Sequence, residues 1–162
     1  MKILLASDHA GFRLKEALLA HLPVAGHEVE DLGAFTLDPI DDYPDFVRPL
    51  AERVAREEGT FGIILGGSGQ GEAMCANRVP GVRAAVFYGK MRVTSALDSE
   101  GGFSEDGFDS VRLPRRHNNA NVLSLGARFI SAVEAEEAVS VFLSTEFKAD
   151  EERHQRRIEK LG

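Results

Sequence analysis

The sequence has a single cysteine, Cys75, so it cannot build a disulfide framework of its own, in keeping with a reducing environment. Basic charge is in deficit. Lys and Arg number 19 against 26 Asp and Glu, a net charge of −7, and the cations form no long block, which speaks against a general nucleic-acid surface. Long apolar runs are missing too: Met-Lys-Ile-Leu-Leu-Ala at residues 1–6 runs straight into Ser7-Asp8-His9. That stretch is too short for a signal peptide or membrane helix, so the expected setting is the cytoplasm, with no membrane partner. His9, His21, His27, His117 and His154 show no clustered ligand spacing, and Cys75 has no companion, so no metal is expected. No internal repeat is visible.

The 162 residues and 43% hydrophobic content suit one domain, 1–162, with a sizeable core. Residues 2–6 read as a buried strand, and 11–21 as a helix with Phe12, Leu14, Leu18 and Leu19 at near-helical spacing. A strand between Gly26 and Gly33 and a helix over 43–58 follow, then an apolar strand at 61–65, a glycine turn, and a helix over about 72–77. Strands at 82–88 and 121–125 and a helix at 133–147 complete the alternation, ahead of an arginine-bearing helix at about 148–161. The fold class is α/β, a three-layer α/β/α sandwich around a mainly parallel five-stranded sheet. Residues 89–116 break the rhythm with Ser99-Glu100-Gly101-Gly102 and Ser104-Glu105-Asp106-Gly107, and read as a mobile loop or a lid.

Ligands of open parallel sheets gather beyond the carboxyl ends of strands, which directs attention to residues 7–11, 66–71 and the approach to Asn121. Gly66-Gly67-Ser68-Gly69-Gln70-Gly71 can bring backbone N–H groups close to an anion, with the Ser68 hydroxyl beside them. It is neither a P-loop, lacking Lys-Ser or Lys-Thr, nor a dinucleotide fingerprint, since Glu72 stands where the third glycine belongs. A carboxylate there suits a base better than a phosphate ligand, although a helix-start glutamate has the same signature. Asp8-His9 can bind sugar hydroxyls and an anion, or cap a helix. His117-Asn118-Asn119-Ala120-Asn121 can protonate and orient a sugar oxygen, or form an asparagine turn. Arg153 and Arg157, four apart on a helix, share a face able to grip phosphate, or else line a solvated tail; Arg128 is a further candidate. Cys75, between Met74 and Ala76, reads as a buried small hydrophobe.

Ser7-Asp8-His9-Ala10-Gly11, Asp42-Tyr43-Pro44-Asp45, Gly67-Ser68-Gly69-Gln70-Gly71, Ala76-Asn77-Arg78-Val79-Pro80-Gly81, His117-Asn118-Asn119-Ala120-Asn121 and Gly126-Ala127-Arg128 together resemble the ribose-5-phosphate isomerase B family, which includes galactose-6-phosphate isomerases. The resemblance spans nearly the whole chain in order. It implies a Rossmann-like sandwich and a cofactor-free aldose–ketose isomerase, most simply of ribose 5-phosphate and ribulose 5-phosphate. It also implies a homodimer with active sites at the subunit interface, or a tetramer built from such dimers. In much of that family a cysteine just before the glycine loop is the base. Here that position is Gly66, and the chain is similar to a branch with a glutamate base at Glu72. By the same resemblance His117 assists ring opening. Asp8, Tyr43 and Asn118 hold sugar oxygens, Gly67, Ser68, Gly69 and Gly71 serve the developing oxygen charge, and His9, Arg128, Arg153 and Arg157 surround the phosphate. The departure lies within about 89–116, longer than the family's usual segment, which leaves a hexose or modified sugar phosphate, or a binding module without turnover, as alternatives.

Overall fold

The computed structural model describes residues 1–97, 102 and 104–161. Strands β1 (Lys2–Ser7), β2 (Glu28–Asp31), β3 (Thr60–Gly66), β4 (Ala84–Phe87) and β5 (Val122–Gly126) alternate with helices. These are α1 (Phe12–His21), α2 (Pro44–Arg56), α3 (Gln70–Ala76), α4 (Asp109–Asn118), α5 (Ala132–Ser144) and α6 (Glu152–Glu159). The strands pair in parallel throughout, in the order β2-β1-β3-β5-β4.

Two cores explain the apolar runs of the central strands. Ile3, Leu5, Ile63, Leu65, Leu123 and Leu125 point to one face, where Leu18, Val111, Ala138, Val139 and Phe142 cover them. Leu4, Ala6, Ile64 and Val122 point to the other, under Val47, Leu50, Ala51, Val54 and Ala76. Period-two alternation between two greasy faces is what a parallel sheet covered on both sides requires. Among the described residues no helix is long and apolar enough to cross a membrane.

Residues 109–116 are helical, which corrects the reading of the whole 89–116 stretch as loop. Only Val111 and Arg115 of α4, besides Asp109, are buried, and Pro114 interrupts its pattern, so the periodic signal is faint. Its start is fixed by side chains: Asp109 accepts from the Ser104 amide (2.9 Å) and hydroxyl (2.5 Å), and Arg112 grips Asp106 (2.5 Å). The turn read at Ser99-Glu100-Gly101 lies outside the described residues.

The strand order reverses between β1 and β3: the chain leaves β1 for β2 on one side and returns to β3 on the other. A crevice opens at such a reversal beyond the carboxyl ends. Lys15, fully buried on α1, holds Asp31 at 2.5 Å while the same carboxylate accepts the Gly33 amide at 2.9 Å. This ion pair sets the departure of the 34–43 loop from β2 toward that crevice.

Candidate active site

The loop between β3 and α3 is fixed through its carbonyls. Gly66 O and Gly67 O accept the amides of Ala127 (2.8 Å) and Arg128 (3.1 Å), and Gly69 O accepts the Ser124 hydroxyl (2.6 Å). Gly69 turns at φ 76, a left-handed geometry suited to a residue without Cβ. With the carbonyls spent, the N–H groups of Gly67, Ser68 and Gly69 have no acceptor among the described residues. The exposed Ser68 hydroxyl receives the Gln70 amide at 3.3 Å, so part of its role is to shape the turn into α3.

Glu72 lies in the first turn of α3 and is 4% exposed. Its carboxylate rests against the backbone of Gly66: a Cβ there would fall 1.7 Å from Glu72 Oε1. Burial, then the negative charge of Asp8, push its pKa above the usual carboxylate value, opposed by a backbone hydrogen bond. A helix-start glutamate placed for the macrodipole alone would be solvated and acidic; this one is desolvated and basic. Tyr43, at the N-terminus of α2, brings Oη to 3.0 Å from where a Cβ on Gly71 would stand, and the Arg128 guanidinium covers Gly67 in the same way.

Asp8 closes the turn after β1, its Oδ1 accepting from the amides of Ala10 (2.9 Å) and Gly11 (3.1 Å). His9 is held by Asp41: a single carboxylate oxygen accepts the His9 amide at 3.0 Å and meets Nδ1 at 2.6 Å. That hydrogen bond raises the imidazole's pKa, helped by the charges of Asp8 and Asp41 and opposed by burial and Arg128. The fold thereby gathers Asp8, His9 and Asp41 so that their donor atoms lie within 4.8 Å of one another, a grouping that local ligand spacing does not reveal. The 2.6 Å contact is a proton bridge, and Asp8 Oδ1 is already engaged by two amides.

A second polar group forms where α4 and α6 meet. His117 stacks on His154 with ring centroids 4.3 Å apart and planes 10° from parallel. His154 is buried, with Nε2 3.2 Å from Glu151. Burial first, then His154, lower the His117 pKa, so the surroundings favour the neutral ring there and the charged ring at His9. Arg153 is exposed and reaches back to Glu151 at 2.6 Å; Arg157 is exposed. The amides after His117 divide their work. Asn119 adopts φ 47 and accepts from Arg115, Asn121 ties Arg83 to Gly81, and Asn118 is left exposed.

A family model described as ribose/galactose isomerase matches residues 3–100 and 107–161. The chain belongs to that family. Ribose-5-phosphate isomerase B of Mycolicibacterium paratuberculosis is 39% identical over 162 residues, all of this chain and 90% of that protein. The Thermotoga maritima ribose 5-phosphate isomerase structure superposes with a TM-score of 0.81 at 41% identity, covering 99% of this chain and 96% of the other. The Mycoplasma genitalium ribose-5-phosphate isomerase B structure, with ribulose-5-phosphate bound, gives 0.83 at 37% identity, covering 99% and 93%.

Within this isomerase fold the expected site residues fall into two sets. Asp8, His9, Tyr43, Gly67, Ser68, Gly69, Gly71, Glu72 and Arg128 cluster at the carboxyl ends of β1, β3 and β5. His117, Asn118, Arg153 and Arg157 belong to α4 and α6, and α4 ends where β5 begins, at the amino end of the sheet. Among the described residues no hydrogen bond, ion pair or ring contact joins the sets. Two members are new: Asp41 and His154. Asp41 directly precedes the Asp42-Tyr43-Pro44 motif, but its partner is 32 residues away; His154 sits among the arginines, and its stacking is a tertiary fact. Cys75, buried on α3 with burial pushing its thiol up, has the surroundings of a packing residue and not of a nucleophile.

Proposed function

We propose that the chain interconverts ribose 5-phosphate and ribulose 5-phosphate as a homodimer, with Glu72 as the base of an enediolate mechanism. The observation that carries the reading is the Glu72 carboxylate, 4% exposed and seated over Gly66 beside free loop amides. Glu72 removes the C2 proton of the open aldose, and the electron pair moves toward the C1 carbonyl to give an enediolate. The same carboxyl returns the proton to C1, while the hydroxyl proton of O2 ends on O1. The N–H groups of Gly67, Ser68 and Gly69 face the charge that develops on oxygen, an effect worth about 3–4 kcal/mol for a well-placed donor. A carboxylate of raised basicity and a cradle of donors are complementary requirements of that step.

Distance supports the dimer. β5 separates the two sets of residues by roughly 16 Å of strand at about 3.3 Å per residue, so one copy does not put His117 beside its own Glu72. A second copy supplies His117 for ring opening, Asn118 for a sugar oxygen, and Arg153 and Arg157 for the phosphate, opposite the first copy's Asp8, Tyr43, His9 and Arg128. Deuterium exchange at C2 tests the reading. Glu72→Gln should slow exchange at least about 10³-fold while the sugar phosphate still binds; near-normal exchange in that variant would refute the base.

One observation favours a second reading of the substrate. The family match leaves out residues 101–106, and nearby Ser104, Asp109, Arg112, Arg116 and His117 line a hollow of ≈ 370 Å³. Ser104, inside that gap, thereby shares a hollow with His117, which the proposal assigns to the sugar. Comparing pentose and hexose phosphates separates the readings: preference for a hexose phosphate would move the assignment.

A further inference from the structure

Asp41 belongs to no set of residues that the site chemistry requires, yet it is the residue most firmly joined to one of them. Its side chain is 9% exposed. One oxygen, Oδ1, takes both the backbone N–H and the ring Nδ1 of His9, at 3.0 and 2.6 Å, which fixes the start and the tip of the same side chain. The other oxygen, Oδ2, is buried and has no partner among the described residues. A carboxylate removed from water and left with one unserved oxygen requires a counter-charge, and His9 is the one in contact.

With Nδ1 engaged, His9 has Nε2 left to offer. The charged groups around the ring are Asp8 on the β1 loop, Asp41 on the 34–43 loop and Arg128 after β5, and Arg13 of α1 lines a hollow of ≈ 460 Å³ shared with His9. Two anions and the direct hydrogen bond favour the charged ring; Arg128 opposes it and gains a second cation beside it. An ordinary imidazole, titrating at about 6.5, would be mostly neutral at pH 7.5 and would bring little to a dianion.

We infer that Asp41 is a positioning residue for phosphate recognition: it pins the His9 ring through Nδ1 and holds it as an imidazolium presenting Nε2–H beside Arg128. The inference rests on the proposed phosphate role of His9. It makes the acid at position 41 a determinant of KM and of its pH dependence, without any part in proton transfer at carbon.

The test compares Asp41→Asn, His9→Gln and the double variant. Asp41→Asn should raise KM for ribose 5-phosphate about tenfold at pH 8 and leave kcat within about twofold. Its KM should begin to climb at lower pH than in the parent, because His9 then loses its proton earlier. The His9 ring resonance in the unliganded protein should titrate lower in Asp41→Asn, and the double variant should be no worse than His9→Gln. An unchanged His9 titration, additive losses in the double variant, or a fall in kcat at constant KM would overturn the role of Asp41. If His9→Gln leaves KM unchanged while Glu72→Gln is inactive, the phosphate role of His9 fails and takes this inference with it, and the isomerase reading stands. Inorganic phosphate, its binding read from the same His9 resonance, decides the point without turnover: its Kd should rise in Asp41→Asn, and an equal Kd would also overturn it.

Discussion

The two halves of the candidate site are made in opposite ways. At the carboxyl end of the sheet, Glu72, Asp8 and the glycine loop are placed by backbone: carbonyls of Gly66, Gly67 and Gly69 bound to β5 and the residues after it, and a carboxylate resting where a Cβ is missing. At the α4–α6 junction, His117, His154, Arg153 and Glu151 are placed by one another, through ring stacking and ion pairs on the last helices. The first half holds a buried acid and a histidine whose pKa is raised, the second a histidine whose pKa is lowered and exposed arginines. Proton abstraction needs a base fixed to a fraction of an ångström, whereas gripping a phosphate tolerates long side chains. In the proposed reading the buried base sits at the carboxyl end of the sheet, and the exposed arginines sit on the last helix.

Breaking that comparison most severely means exchanging halves between copies. Glu72→Gln and His117→Ala, each nearly inactive alone, should together recover roughly a quarter of parental activity when co-expressed, because half the dimers then carry one intact site. No recovery in verified mixed dimers would show that each copy completes its own site. The next effect in size comes from Gly66→Ala. Its Cβ would stand 1.7 Å from Glu72 Oε1 and displace the carboxylate, so kcat should fall about 10²-fold with KM little changed; parental kcat would show that the seat of Glu72 is not critical.

The smallest effect distinguishes the halves by stability. Burial raises the Glu72 pKa in the folded protein above its unfolded value, so the folded state binds the proton more tightly. Its contribution to stability is present below the unfolded value near 4.5 and is lost as pH rises through the folded one. Glu72→Gln, which cannot ionise, should therefore raise Tm by about 2 °C at pH 7.5 and by less at pH 4, whereas Arg157→Ala should leave Tm unchanged. Equal Tm at both pH values for Glu72→Gln would mean that the carboxylate is well solvated.

Much of this frame was legible from residue order. The central strands announce themselves by apolar runs buried on both faces, and the 66–71 turn by its glycines, because each signal is local. Helix α4 was not legible: Pro114 and the cations Arg112, Arg115, Arg116 and His117 mask its period, and it is held by Arg115 over Phe61 and Phe142, residues from distant elements. The pairs that decide the site, His9 with Asp41 and His117 with His154, join residues 32 and 37 positions apart. Spacing reports what a helix or turn brings together; only the folded chain makes those two pairs.

Positions 66 and 72 are, finally, bound to one another by their geometry. The atom that any larger residue would add at Gly66 coincides with the Glu72 carboxylate, so one volume admits a side chain from either position and not from both. A larger residue at position 66 cannot be accommodated while the Glu72 carboxylate keeps its present seat. The two positions are sterically coupled, and the glycine contributes by the side chain it lacks.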